Sequence, residues 1–258
     1  MKQTVIRERI RVELKNPILI EGLPGLGMVG RIATKYLIKK LGAKPFALLY
    51  STHFPYYVLV NRKGRVRLLR GVFYYWINPK NDGNDLMFFT GDSQAQTIEG
   101  QYEIAAKIAD YAKSKGVSLI ITLGGYRKEV EGSPKVYAVS TSRELLEKAL
   151  KAECMKSPSG NPIVGIAGIL LGIARFKGLN ALCLLGETRG YMPDPKAAKS
   201  VLNALCKILE LNVDLSGLDV EIERAEKLLK KMHQIEARRE SYIRRLKEED
   251  RERTSYIS

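Results

Sequence analysis

Pro17-Ile18-Leu19-Ile20-Glu21-Gly22-Leu23-Pro24-Gly25-Leu26-Gly27-Met28-Val29-Gly30 is the stretch that decides the fold class. Residues 17–21 read as a short buried strand. Residues 22–30 hold four glycines, which suit a tight turn. From Met28 to Lys40 the apolar residues Val29, Ile32, Tyr36 and Leu37 recur at helical spacing. Phe46-Ala47-Leu48-Leu49-Tyr50 then reads as a second strand and completes a β–α–β unit.

Working outward, the alternation continues. Tyr57–Val60 and Val66–Leu69 flank Asn61-Arg62-Lys63-Gly64, a hairpin signal. Gly71–Ile77 and Leu86–Thr90 read as strands. Ile98–Lys115 reads as a helix with Ile98, Tyr102, Ala105, Ile108, Ala109 and Ala112 on its apolar face. Val117–Leu123 and Lys135–Val139 read as strands. Thr141 and Glu144 have the spacing of a capping box for a helix ending at Leu150. Gly165–Lys177 reads as a glycine-rich buried helix and Leu179–Leu185 as a strand. Asp194-Pro195 is a cap followed by proline at the first helical position, and opens a helix to about Glu210. The expected fold is a three-layer α/β/α arrangement around a mostly parallel mixed sheet, with an inserted β-hairpin.

After Leu218 the composition changes. Residues 219–252 are charged and lack Gly and Pro; the apolar positions Ile222, Ala225, Leu228, Met232, Ile235, Tyr242 and Leu246 recur along them. That spacing approaches a heptad seam, broken by Arg239. The expected organisation is an α/β body over residues 1–218 and a charged helix with a short tail over residues 219–258. The chain has 258 residues and a net charge of +15; its last forty hold eleven Lys/Arg against ten Asp/Glu, so nearly all the excess sits on the body. Such a surface attracts acidic partners or simply aids solubility. Cys154, Cys183 and Cys206 show no Cys-x-x-Cys spacing, which argues against a zinc or redox site and suits a reducing cytosol. No signal-peptide core or apolar run of about 20 residues is present, so a cytoplasmic protein is expected.

Gly25-x-Gly27-x-x-Gly30 stands where a dinucleotide or anion site would, between a strand and a helix. The acidic residue due some 20 positions on is missing from Leu49-Tyr50-Ser51-Thr52-His53, and no P-loop lysine follows. A tight turn that permits close packing is the competing account. Asp92, Arg127 and Glu187 follow three strands and could meet Gly25, Gly27 and Gly30 in one cleft at the strands' carboxyl ends, with Glu187 as a base and Arg127 holding an anion. They could equally cap helices or pair with arginines. The patch from Arg62–Arg67 through Tyr74-Tyr75-Trp76 combines arginines and aromatics, as a single-stranded nucleic acid site would, or forms a hairpin with a solvated basic face and an aromatic core face. No serine elbow or clustered metal-ligand spacing is present, and His53 reads as a loop histidine.

In order, Glu21–Gly30, Gly91-Asp92-Ser93-Gln94, Gly124-Gly125-Tyr126, Gly165-Ile166-Ala167-Gly168 and Gly186–Pro195 resemble the archaeal branch of the proteasome-assembly-chaperone family. That group is also assigned to the ATP-grasp superfamily, of which this sequence carries no signature. The resemblance covers about residues 10–215. It implies a three-layer α/β fold, no cofactor and no catalysis. It further implies self-assembly, alone or with a paralogue, and binding to the α ring of the proteasome core particle. In related proteins a C-terminal hydrophobic–Tyr–any tripeptide docks between α subunits; Tyr256, Ile257 and Ser258 resemble it, with tyrosine third from last instead of next to last. The resemblance leaves no membrane role and gives no support to nucleic acid as a partner. The competing reading is a small-molecule or nucleotide-binding enzyme using the strand-end cleft.

Overall fold

Ile18–Glu21 (β2), Leu86–Gly91 (β7), Leu119–Arg127 (β8) and Asn180–Thr188 (β11) lie side by side and parallel, in the order β7-β2-β8-β11. Every residue of β2 and β7 is buried. Strands covered on both faces read as near-continuous apolar runs. The computed structural model describes residues 3–80, 83–130 and 132–232, with Gln234, Ile235 and Arg239 beyond them. It divides into two units, Met1–Leu215 and Ser216–Ser258.

Antiparallel strands extend the parallel block at both sides. Beyond β7 come Gly71–Trp76 (β6), Lys44–Tyr50 (β3) and the edge strand Val5–Glu8 (β1). Beyond β11 come Val136–Ser140 (β9), antiparallel to it, and Met155–Lys156 (β10). The expected β–α–β unit, β2 to β3, exists in direction, but β6 and β7 stand between its two strands. Val58–Val60 (β4) and Val66–Leu68 (β5) form a separate hairpin. Its turn is fixed by Asn61, whose side-chain oxygen accepts from the N–H groups of Lys63 (2.9 Å) and Arg65 (3.0 Å).

Helices cover both faces. Val29–Leu41 (α1) and Pro195–Leu209 (α5) pack together on one, with Arg143–Lys151 (α3) beside α5. Ile98–Ser114 (α2) and Ile166–Phe176 (α4) pack together on the other. Leu19, Ile120 and Cys183 point toward α2 and α4 and join Ile104, Ile108 and Leu170 in one core.

Local chemistry sets the helix starts. Asp194 accepts from the Ala197 N–H at 2.9 Å, ahead of Pro195. The cap of α3 is Ser142, one residue after the expected Thr141. Thr141 is instead engaged with the backbone of Ala181. The buried face of α2 also differs from expectation: Ile98 and Tyr102 are exposed, and Gly100 and Ile104 face inward. A side chain at Gly100 would lie 2.3 Å from the Cβ of His53, so His53 occupies the room that a larger residue would need.

In the second unit residues 217–232 are helical. Ile222 and Ala225 are half-buried, while Leu228, Met232 and Ile235 are exposed. Tyr242, Leu246 and the tail Tyr256-Ile257-Ser258 lie outside the described residues.

Candidate functional site

The glycine turn after β2 is built for contact between backbones. A Cβ on Gly30 would sit 2.1 Å from the carbonyl oxygen of Leu123, so α1 can approach β8 only with glycine there. Gly27 has φ +56°, and a Cβ on it would lie 2.6 Å from Thr188 Oγ1. The Gly27 carbonyl accepts from the Asp194 N–H at 2.8 Å, which ties the turn to the start of α5. Close packing accounts for Gly27 and Gly30. Gly25 stands apart, because a Cβ on it would meet nothing nearer than Gln94 Nε2 at 3.6 Å.

Gly25 opens onto a cleft of about 710 Å³ at the carboxyl ends of β2 and β8. The turn after β2, the segment after β7, the end of β8 and the start of α4 form its walls. Gln94 joins two of them: its Nε2 donates to the Pro24 carbonyl at 2.6 Å, and its Oε1 accepts from the Ile166 N–H at 3.0 Å. That amide caps α4, whose own N-cap, Gly165, has no side chain to do so.

Of the residues expected to meet here, the structure brings Gly25, Gly30 and Arg127 to the cleft and leaves Gly27, Asp92 and Glu187 out of its lining. Asp92 is held by the Arg67 guanidinium at 2.5 and 2.9 Å and by the Arg70 N–H at 3.0 Å. Burial opposes its charge, but these donors outweigh burial and keep its carboxyl below the usual range. Glu187 accepts from Lys128 (3.1 Å), the Tyr137 hydroxyl (3.0 Å) and the Lys135 N–H (2.9 Å). Burial works against it as well, and the three donors again hold it below the usual range. Both carboxylates therefore lock strand ends together. Arg127 stacks on Tyr191, 5.1 Å from the ring centroid.

The remaining candidates are structural too. His53 lies between Thr97 Oγ1 (3.0 Å) and Glu103 (3.1 Å). In the aromatic–basic segment, Tyr74, Tyr75 and Trp76 are half-buried in β6, and Arg67 is the partner of Asp92. Burial pushes the thiols of Cys154 and Cys206 up to about 11 and that of Cys183 up to about 12, so all three stay protonated near neutrality. Among the described residues no group of three or more His, Cys, Asp or Glu is placed to hold a metal ion. No helix among them is long and apolar enough to cross a membrane.

Two residues that sequence reasoning did not single out as site residues stand out. Glu21, 1% exposed, lines the cleft from the end of β2. Its Oε1 accepts from the Leu23 N–H at 3.0 Å, while its Oε2 has no hydrogen-bond partner among the described residues. Gln101 Nε2 donates to the Ala95 carbonyl at 2.7 Å, and its buried Oε1 is likewise without a partner there. The available signal was a lone carboxylate closing a run buried on both faces. Gln101 gave none, since a polar residue on a helix normally marks its wet side.

Comparison with known proteins places this geometry in context. The sequence profile of the PAC2 family matches residues 19–233. The uncharacterised Methanocaldococcus jannaschii protein MJ1210 is 34% identical over 224 residues, 86% of this chain and 85% of that protein. The crystal structure of Pyrococcus furiosus PbaB, an archaeal proteasome activator, superposes with a TM-score of 0.86 at 41% identity, covering 90% of this chain and 100% of that one. P. furiosus PbaA, an archaeal homologue of proteasome-assembly chaperone, gives a TM-score of 0.75 at 32% identity, covering 95% and 98%.

Proposed function

The chain belongs to the PAC2 family, and from that premise we propose that it is an assembly chaperone or activator-like partner of the proteasome core particle, working by binding and not by catalysis. The likeness to PbaB over the whole of that activator's length carries this reading. In the proposal, copies of the chain assemble in the cytoplasm, with themselves or a paralogue, and engage the α ring, partly through Tyr256, Ile257 and Ser258.

Several physical features support it. Asp92 and Glu187, the carboxylates best placed in sequence for catalysis, are both committed to structural contacts. Among the exposed large apolar groups, Tyr56, Tyr57, Val60 and Val66 gather around the β4–β5 hairpin, and Leu228, Met232 and Ile235 lie close in sequence in the second unit. Clusters of this kind mark interaction surfaces. The helix over residues 217–232 exposes apolar side chains, and such a helix gains stability from packing against a partner. Copies joined through such seams would present several tails at once, and effective concentration would turn weak anchors into firm attachment. The tail supplies an aromatic anchor and an aliphatic contact.

The test is a pull-down on an archaeal core particle, comparing the full chain with one ending at Arg253. The full chain is retained and the shortened chain is retained less or lost. Retention of neither would refute the proposal. Light scattering of the free protein should give a multimer; a strict monomer would remove self-assembly from it.

A further inference from the structure

The cleft behind Gly25 has a feature that ring binding does not use. Glu21 Oε2 and Gln101 Oε1 are two buried acceptors that line the same cavity and lack donors among the described residues. Buried polar atoms are nearly always paired, so each such atom calls for an explanation. The volume of about 710 Å³ is in the range that holds small molecules. Its lining includes the apolar side chains Leu23, Leu123, Ile163 and Leu185, and Gly25 leaves room beside them.

We propose that this cleft binds a small organic cation, a primary ammonium on an apolar body, whose N–H groups are accepted by Glu21 Oε2 and Gln101 Oε1. An ammonium offers three donors and no acceptor, which matches a site with two vacant acceptors. A carboxylate partner adds charge assistance in a low-dielectric setting. The hydrocarbon body would lie against the leucines and Ile163. Burial, opposed only by the Leu23 N–H, pushes the Glu21 carboxyl up to about 8. The free site is therefore mostly protonated at neutral pH, and a bound cation displaces that proton.

The surroundings bring few competing charges. β8 places Thr122 beside Glu21 in register, and β11 places Cys183 beside Thr122. β8 also brings Tyr126 and Arg127 to the cleft, β7 sets Phe89 against Glu21, α2 brings Gln101 and α4 brings Ala167. Cys183 stays neutral below about 12. Arg127 lies five residues beyond the register partner of Glu21, roughly 17 Å along the strand. That leaves the base of the cleft to the carboxylate.

The experiment is a titration of the full chain with 3-methylbutylamine, followed by ligand-observed NMR or calorimetry at pH 7 and pH 9, with 3-methylbutanol as the neutral counterpart. The amine binds saturably, and its affinity rises about tenfold from pH 7 to pH 9 as Glu21 ionises. The alcohol binds more weakly and without that rise. Glu21→Gln removes the pH dependence and the preference for the amine. If that variant does not fold, Ala167→Phe, which fills the cleft from α4, abolishes amine binding while leaving Glu21 in place. Equal, pH-independent binding of amine and alcohol, or no saturable binding of the amine at either pH, overturns the proposal. Retention on the core particle is a separate readout, so failure of one leaves the other standing.

Discussion

Replacing Glu21 with glutamine should flatten the pH dependence of stability in a way that can be worked from the structure. The folded state holds the Glu21 proton up to about 8, against an ordinary value of 4.5 in the unfolded chain. Its favourable contribution is thus fully present below 4.5, declines as pH rises, and is gone above about 8. At roughly 1.4 kcal/mol per pH unit the whole difference is about 5 kcal/mol, of which about 4 kcal/mol falls between pH 5 and pH 9. Glutamine keeps the shape and cannot ionise. Urea unfolding of both proteins at pH 5, 7 and 9, with linear extrapolation to water, measures the gap. Other titrating groups are common to both proteins and cancel in the comparison. The wild type should lose about 4 kcal/mol relative to Glu21→Gln across that range. A gap constant within about 1 kcal/mol would mean that Glu21 reaches solvent or a partner, and the reasoning about its burial would fail.

Other substitutions probe the remaining contacts. Gly30→Ala places a methyl 2.1 Å from the Leu123 carbonyl oxygen, and should cost about 1–3 kcal/mol despite alanine's better helix propensity; calorimetry should show a lower Tm. Thr97→Ala removes the cap on the Gly100 N–H at 3.0 Å and should cost about 1 kcal/mol, with Thr97→Ser restoring most of it in urea unfolding. Leu228→Glu combined with Met232→Glu charges the exposed stripe of the C-terminal helix; light scattering should show smaller assemblies while circular dichroism keeps the α/β signature.

Where the sequence was informative, one physical signal dominated each segment. β2, β7, β8 and β11 are buried on both faces, so hydrophobicity alone marked them. Asp194-Pro195 named its own helix start. β1 escaped because it is a short edge strand, Val-Ile-Arg-Glu, with its last two residues exposed. β10, two exposed residues, offers no pattern to read. In the cleft, residue type pointed to Asp92 and Glu187 because polar turns follow strands. Their partners, Arg67 and Lys128, come from segments 25 and 59 residues away, a pairing that only tertiary structure reveals. Glu21 carried the opposite problem: it closes a strand legible as buried, but that its Oε2 lacks a partner among the described residues emerges only from the packing around it.

We propose above all that the chain grips the proteasome α ring. Negative-stain electron microscopy of an archaeal core particle mixed with the full chain tests this most directly. It should show added density seated on the α-ring ends of the barrel, diminished when the chain stops at Arg253. Bare ends at saturating protein, or density on the flanks alone, would contradict it.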